Sequence, residues 1–539
     1  MRGQRKFRAG IAAAAAFMIT VAGCTLGDPE AAGGDDGSGG GGDGGGDGGG
    51  GTIIMSTGTV PHLNPQVVVS PSVNQVAGTM LETLVMMKDN YEVVPKLAKD
   101  WEFSEDGLSV TLHLQEGVEW HDGEPFTSED VQFNFEEVME YQSYGAGLVE
   151  VVDSVETPDE HTVVVHLTEQ YGPFMQTLTS QYILPKHIYE GTDILTNPAN
   201  RKPVGTGPFV LEAFREAEEV TVTANPDYWG GDIQPDRLVF PIMTDTNAAT
   251  LALLAGELDM GGAGQGMMDQ IQENPDLEVS TAGSLPQQFI FTMNTKVPEL
   301  QDPEVRRLVY AAADRQQVSE TVLPDNSEVP TSIFPEALAW ASDPAVDYRE
   351  EFAYDVDAIN AGLDEAGYPR GDDGTRFTLR VHFMSPLAEV RAAAEVMKAS
   401  MAQVGINLKL VGEQTNVFTE HVYTDREFDT AIVWSTLGSD PSIGLTRWWA
   451  CNPEKDAAEN PSGVCDEEMQ ASIDAAMHRT DQEERAEHFR AMQARASELM
   501  ISAPIVFLLP QDVYNTTRWS GLAGDDLVGI DWTEVAPVE

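Results

Sequence analysis

The side chains best suited to gripping a small molecule crowd into one stretch, "AIVWSTLGSDPSIGLTRWW", residues 431–449. Trp434, Trp448 and Trp449 offer indole faces, on which the apolar C–H face of a sugar or a cation can stack. Ser435, Thr436 and Ser439 can hydrogen-bond a neutral ligand, and Asp440 can meet an ammonium group. Against this, Asp440 before Pro441 also suits a plain turn, and one of the tandem tryptophans is expected to serve the core or to pack on a disulfide. Catalytic machinery is missing from the sequence. It has no G-x-S-x-G, no H-E-x-x-H, no phosphate loop and no dinucleotide glycine fingerprint. Its ten histidines are scattered without metal-ligand spacing. The reading is a binding protein with no cofactor and no metal, and not an enzyme.

The cysteines divide into two groups. Cys451 and Cys465 bracket "NPEKDAAENPSGV", with no further Cys or His nearby to complete a metal set. Outside the cytoplasm such a pair oxidises, and a closed loop of 15 residues contributes about 3 kcal/mol. Cys24 follows basic Arg2, Arg5, Lys6 and Arg8 and an apolar run from Ile11 to Ala22. That run falls short of the roughly 20 apolar residues a spanning helix needs, so it reads as an export signal. From Thr25 to Gly51, fifteen of 27 residues are glycine and six are acidic, which describes an unfolded linker. At roughly 5–6 Å times the square root of its length, such a coil spans about 30 Å.

Charge narrows the partners. The chain has 88 Asp+Glu against 31 Lys+Arg, a net of −57. The signal holds four of the bases and no acids, so residues 24–539 carry 88 against 27, or −61. Nucleic acid is excluded as a partner, since its phosphates need Lys and Arg to displace counterions. Repulsion on this scale opposes compaction, and molar salt, with a Debye length of about 3 Å, suppresses it. The composition therefore suits a salt-adapted organism; a merely acidic secreted protein is the alternative.

These candidate residues need a scaffold, and the rest of the chain supplies α/β signals. "GLSVTLHL" alternates Val110, Leu112 and Leu114; "HTVVVHL" alternates Val163, Val165 and Leu167. Both are half-buried strand patterns, with His113 and His166 facing outward. "FTSEDVQFNFEEVM" predicts a helix capped by Thr127 and Asp130, with Val131, Phe135, Val138 and Met139 on its buried face. "QDPEVRRLVYAAADR" predicts another, with Asp302 as cap and Pro303 in its first turn. Asp314 and Arg315 at its end are expected to form an ion pair. "DQEERAEHFRAMQARASELM" is a long amphipathic helix, and "APIVFLL" after it a buried strand.

Several stretches carry a resemblance. "LETLVMMKDNYEVVPKLAKDWEFSEDGLSVTLHLQEGVEWHDGEPFTSEDV", "VGTGPFVLEAFREAEEVTVTANPDYWGG", "ALLAGELDM", "FTMNTKVPELQDPEVRRLVYAAADRQQV" and "DVDAINAGLDEAGYP" occur in that order. Together they resemble the large solute-binding proteins of ABC importers, the family of oligopeptide, dipeptide and nickel binders. Val21-Ala22-Gly23-Cys24 likewise resembles the bacterial lipobox, whose cysteine is acylated; a chance cysteine in an ordinary signal peptide is the alternative. The family resemblance implies a two-lobed, periplasmic-binding-protein-like fold with a hinge and an extra inserted domain. It places one lobe at about 52–90, 205–288 and 507–539, the insert at 91–204 and the second lobe at 289–506. Residues 1–23 are then the signal peptide and 24–51 the linker.

The resemblance also implies a monomer, anchored by lipid on Cys24 to the outer face of the cytoplasmic membrane, that passes a solute to an ABC permease. Peptide binders of the family commonly show Trp-x-x-Asp-x-x-Asp/Glu-Pro, the first acid holding the ligand's amino group. Here Trp434 and Asp440-Pro441 match, but Leu437 stands at the first acid. Asp440 is the candidate to replace it, and His62 and Asn64 fall where the family's N-terminal pocket loop sits. Tyr228 and Trp229 read as core anchors. The ligand reading is a peptide-like solute, with an oligosaccharide as runner-up and a nickel complex behind it. A surface hydrolase and a ligand-presenting sensor are the alternatives of other classes.

Overall fold

The structure is a computed structural model that describes residues 51–539 apart from 69, 265, 282–284, 325, 524–528 and 539. The expected signal, Cys24 and all but the last residue of the linker lie outside the described residues.

The strand Ser502–Leu508 is buried at all seven positions. A strand apolar on both faces must sit inside a covered sheet. It does so in a six-stranded sheet, ordered Ser327–Glu328, Ser502–Leu508, Gln287–Met293, Thr430–Thr436, Phe377–Met384 and Ile406–Glu413. Gln287–Met293 runs antiparallel to both neighbours, while Phe377–Met384 runs parallel to both of its own. Helix Ala388–Gln403 makes the crossover between the last two parallel strands. Helix Pro303–Ala311 starts at Asp302, whose side chain accepts from the amide of Glu304, and buries Val305 and Val309. The expected Asp314–Arg315 pair does not form. Asp314 caps the next helix through the amide of Gln317, and Arg315 turns inward to the carbonyls of Tyr348 and Phe352 and the Tyr310 ring.

A second core gathers around Thr52–Ile54, which pairs in parallel with Arg237–Pro241 and leads on to Glu219–Ala224 and Phe209–Arg215. The C-terminal stretch returns to this core through Trp519 and Trp532. A three-stranded sheet, Met260–Gly262, Asp512–Asn515 and Leu277–Ser280, is linked to it by the bridge between Met55 and Met260. A third core belongs to the antiparallel sheet Ala98–Phe103, Ser109–Leu114, Thr162–Leu167 and Val152–Asp159. There Val110 faces Val165 and Leu112 faces Val163 across the ladder. The Thr127 helix runs regularly over Ser128–Phe133, then loosens into a wider turn over Asn134–Val138. At that point the Asn134 side chain bonds both backbone groups of Leu184 and the carbonyl of Asp130. Val131, Phe135, Val138 and Met139 stay buried across the irregularity.

The chain passes between the three-stranded and six-stranded sheets twice. Leu277–Ser280 precedes Gln287–Met293, and Ser502–Leu508 precedes Asp512–Asn515. Ser280 pairs with Asp512, and Gln287 with Leu508, so the two passages run side by side. The end of the six-stranded sheet that carries Gln287, Thr436 and Leu508 is therefore the crossover end.

Candidate functional site

Strand Thr430–Thr436 delivers its last residues to this crossover end. Trp434 is half-buried, and its indole N–H donates to Gln287 Oε1 at 3.0 Å. Ser435 points to the opposite face, opposite Gln288 on the neighbouring strand. Its hydroxyl accepts from Arg447 Nη2 at 3.0 Å. The Arg447 guanidinium lies 5.1 Å from the centre of the Trp448 ring.

Polar atoms are left over in this group. Gln288 is wholly buried, yet both atoms of its carboxamide lack a partner among the described residues. Arg447 Nε and the Trp448 indole nitrogen are equally unpartnered. A buried polar group without a partner costs about 1–3 kcal/mol, so four such atoms in contact-linked residues need a common explanation. Two N–H donors and one amide match a molecule presenting carbonyl or carboxylate oxygens and an N–H.

Several sequence-based expectations for this region are corrected. Asp440 is 2% exposed and held bidentately by Arg485, at 2.9 Å from Nη1 to Oδ2 and 2.5 Å from Nη2 to Oδ1. It also accepts from the amide of Ser442. Both of its oxygens are taken, so it is not a free carboxylate for a ligand's ammonium. Trp449 is core, its indole N–H donating to the Ser502 carbonyl, and the Trp448 ring is fully buried as well. Neither offers a stacking face to solvent. Leu437 is enclosed in the same core, its amide extending the ladder to Pro286. Cys451 and Cys465 form a disulfide with Cα atoms 4.5 Å apart, and the Cys451 amide donates to Gln470.

The segment after Leu437 folds back tightly. A Cβ on Gly438 would lie 1.6 Å from the Ile443 carbonyl oxygen, and Gly444 has φ +82°, so both positions need glycine. Ser439 then donates to the Gln176 carbonyl at 2.9 Å, which ties this loop to the region of the third core. A second tie runs from the Gly172 amide to the Met477 carbonyl at 2.7 Å. Beside it lies an open groove of about 440 Å³, lined by Asp106, Glu169, His478 and Arg479 among others. It shares no residue with the Ser435 group.

His62 and Asn64 are not brought to this group. Asn64 is 1% exposed, bonding Asn200 through its amide nitrogen and the Gln66 amide through its oxygen. It is a buried bracket for its own turn. His62 Nδ1 accepts from the Asn64 amide, and burial together with nearby Arg201 keeps its pKa below the ordinary value.

Sequence reasoning missed five features. Gln288 is the second of two amides that open an otherwise largely apolar strand, and Arg447 a scarce base beside the tryptophan pair; both signals were on view. Arg485 gave no local sign of its partner. Tyr228 is a buried anchor and Trp229 a half-buried one, but their polar ends converge on buried Glu82, at 2.9 and 2.8 Å, with Thr206 and Lys96 beside them. Finally, the histidines are not all isolated, since His382 and His421 meet at Glu413.

Solved structures establish the fold. The chain superposes on NikA from Brucella suis in complex with Fe(III)-EDTA with a TM-score of 0.79 at 22% identity, covering 90% of this chain and 100% of that one. For the periplasmic binding protein DppA from Helicobacter pylori in complex with peptide STSA, the TM-score is 0.74 at 22% identity, over 91% and 98%. Two lobes joined by adjacent crossing strands are the periplasmic-binding-protein fold. Residues 92–456 match the model of the bacterial extracellular solute-binding proteins, family 5 (its middle section), and the chain belongs to that family. Among curated relatives, the dipeptide-binding protein of Escherichia coli (strain K12) is 27% identical over 495 residues, 84% of this chain and 89% of that protein. A protein of Brucella ovis named as an ABC transporter peptide-binding protein is 32% identical over 385 residues, 68% and 71%. The chain is thus a non-enzymatic solute receptor that works with an ABC transporter. No helix among the described residues is long and apolar enough to cross a membrane.

Proposed function

We propose that this receptor carries a peptide-like solute to its permease and that the group Gln288, Ser435, Arg447 and Trp448 contacts it. The observation that carries the reading is the set of buried donors and the amide left without partners at the crossover end. They complement a peptide unit or a terminal carboxylate. The amino end is not held by Asp440, which Arg485 occupies. The names of the relatives favour peptides over other solutes.

In this reading the lobes are 52–90 with 205–288 and 507–539, the insert 91–204, and the second lobe 289–506. Closure bends the two crossing segments, and the solute favours the closed form by binding it better. Cys24, acylated, anchors the chain outside the cytoplasmic membrane, with the glycine-rich linker as a leash. Replacing Cys24 with Ala is expected to release the receptor from the membrane fraction; retention would refute the anchor.

The test of function is mass spectrometry of whatever co-purifies with residues 52–539 in molar salt. Short peptides are expected, and Arg447→Gln should then weaken their binding by about 10- to 100-fold, the 1.5–3 kcal/mol of a hydrogen bond to a charged group. A sugar would overturn the peptide reading and make the half-buried face of Trp434 the defining contact.

A further inference from the structure

The fold joins three metal-ligand side chains that lie up to 39 positions apart in sequence. His382 lies on strand Phe377–Met384, and Glu413 ends the parallel strand Ile406–Glu413. The register sets His382 opposite Val411 and Met384 opposite Glu413, so His382 and Glu413 project from one face. His421 follows in the helical turn Glu420–Thr424. Glu413 stands between the rings, its Oε2 3.0 Å from His382 Nδ1 and its Oε1 2.6 Å from His421 Nδ1. One donor atom from each residue falls within 4.8 Å of the other two.

We infer that His382, Glu413 and His421 form a binding site for one borderline divalent transition-metal ion of the zinc or nickel kind. Two imidazoles and a carboxylate are the ligand set such ions prefer, and calcium or magnesium would ask for oxygens. An ion with bonds of about 2.0–2.2 Å replaces the proton now shared on each side of the carboxylate. The donor atoms need only open outward slightly to admit it, and His421 can supply that movement. Its side chain is 38% exposed on a helical turn, whereas His382 and Glu413 are held at 3% and 10%. The exposed side also gives the ion a route in and leaves positions for water. Glu420 and Glu427 act electrostatically on the same imidazole and add negative charge around the ion. Arg380, two residues before His382 on the same face of the strand, also acts on Glu413, but it is already paired with Asp429.

The site is distinct from the solute group. His382 stands level with Ala431 and Thr292, four residues from Gln288 along the strand, or about 14 Å at 3.4 Å per residue. It is independent of the proposed peptide reading.

The test is isothermal titration of metal-stripped residues 52–539 with zinc chloride and with nickel chloride, in molar sodium chloride to silence the acidic surface. One ion per chain at micromolar affinity or tighter is expected, with a rise in Tm that a chelator reverses and magnesium does not reproduce. His421→Ala, at an exposed position, should keep the metal-free Tm and lose at least about tenfold in affinity, since a ligand atom is removed. Glu413→Gln should lose as much. Absence of stoichiometric binding, or binding unchanged in His421→Ala, would overturn the site and leave a hydrogen-bonded His–Glu–His cluster.

Discussion

Replacing Asp440 with Asn separates the two roles this residue has been given. In the structure Asp440 and Arg485 are 2% and 5% exposed at their side chains, and two hydrogen bonds join them. Arg485 also donates to the Ala476 carbonyl and the Ser442 hydroxyl, and it packs against Trp340 and Phe489. Removing the carboxylate charge leaves that guanidinium buried and uncompensated, which costs about 3–5 kcal/mol. A cooperative unit of about 200 residues, at roughly 2.1 cal/mol/K per residue, loses about 0.4 kcal/mol/K at its midpoint, so Tm should fall by about 7–12 °C. The assay is thermal unfolding in molar salt, beside calorimetric titration of the solute well below both midpoints. Affinity should be unchanged. The double variant Asp440→Leu with Arg485→Met should recover most of the loss, because two well-packed apolar side chains replace a buried pair at little cost. A variant Asp440→Asn that keeps its Tm within about one degree but loses solute affinity more than about tenfold would refute the reasoning. Asp440 would then hold the solute's amino group.

Three further outcomes are expected. Cys451→Ser with Cys465→Ser should lower stability by about 3 kcal/mol, the loop-closure entropy of 15 residues; an unchanged Tm would assign the loop's order to the Asn452 and Asn460 hydrogen bonds instead. Burial pushes the Asp512 carboxyl up to about 6, against about 3.9 when unfolded. The folded state therefore holds this proton more tightly. Above about pH 6 the ionised group costs stability, and the cost fades as pH falls towards 4. Asp512→Asn should gain Tm relative to the parent on going from pH 4 to pH 8, and a constant difference would count against the buried carboxyl. With a net charge of −57, the protein should unfold at a lower temperature in dilute buffer than in molar sodium chloride. Equal midpoints would remove the case for salt adaptation.

Much of the scaffold was legible because its signals are short-range. The alternation of Val110, Leu112 and Leu114 against Val163 and Val165 requires a period of two, and the structure pairs those strands directly. Asp302 and Pro303 start a helix because an orphan amide needs an acceptor one turn away. The five ordered stretches that resemble the family lie along most of the chain, and the family holds. The candidate site was less legible. Its tryptophans looked like ligand platforms because aromatic side chains serve cores and pockets alike, and only packing tells which. Asn64 looked free because its partner Asn200 is 136 residues away.

By itself, the sequence determined the α/β class, the family, the strands and capped helices, and the acidic surface. The family follows from the resemblance of ordered stretches, and the rest from composition or from spacings within a few residues. Tertiary structure alone decided that Asp440 faces Arg485 across 45 positions, that Trp448 and Trp449 are buried, and that His382, Glu413 and His421 share one point. A side chain's chemistry depends on which charges and dipoles surround it, and those neighbours are chosen by sheet register and helix packing over distances that no local pattern encodes.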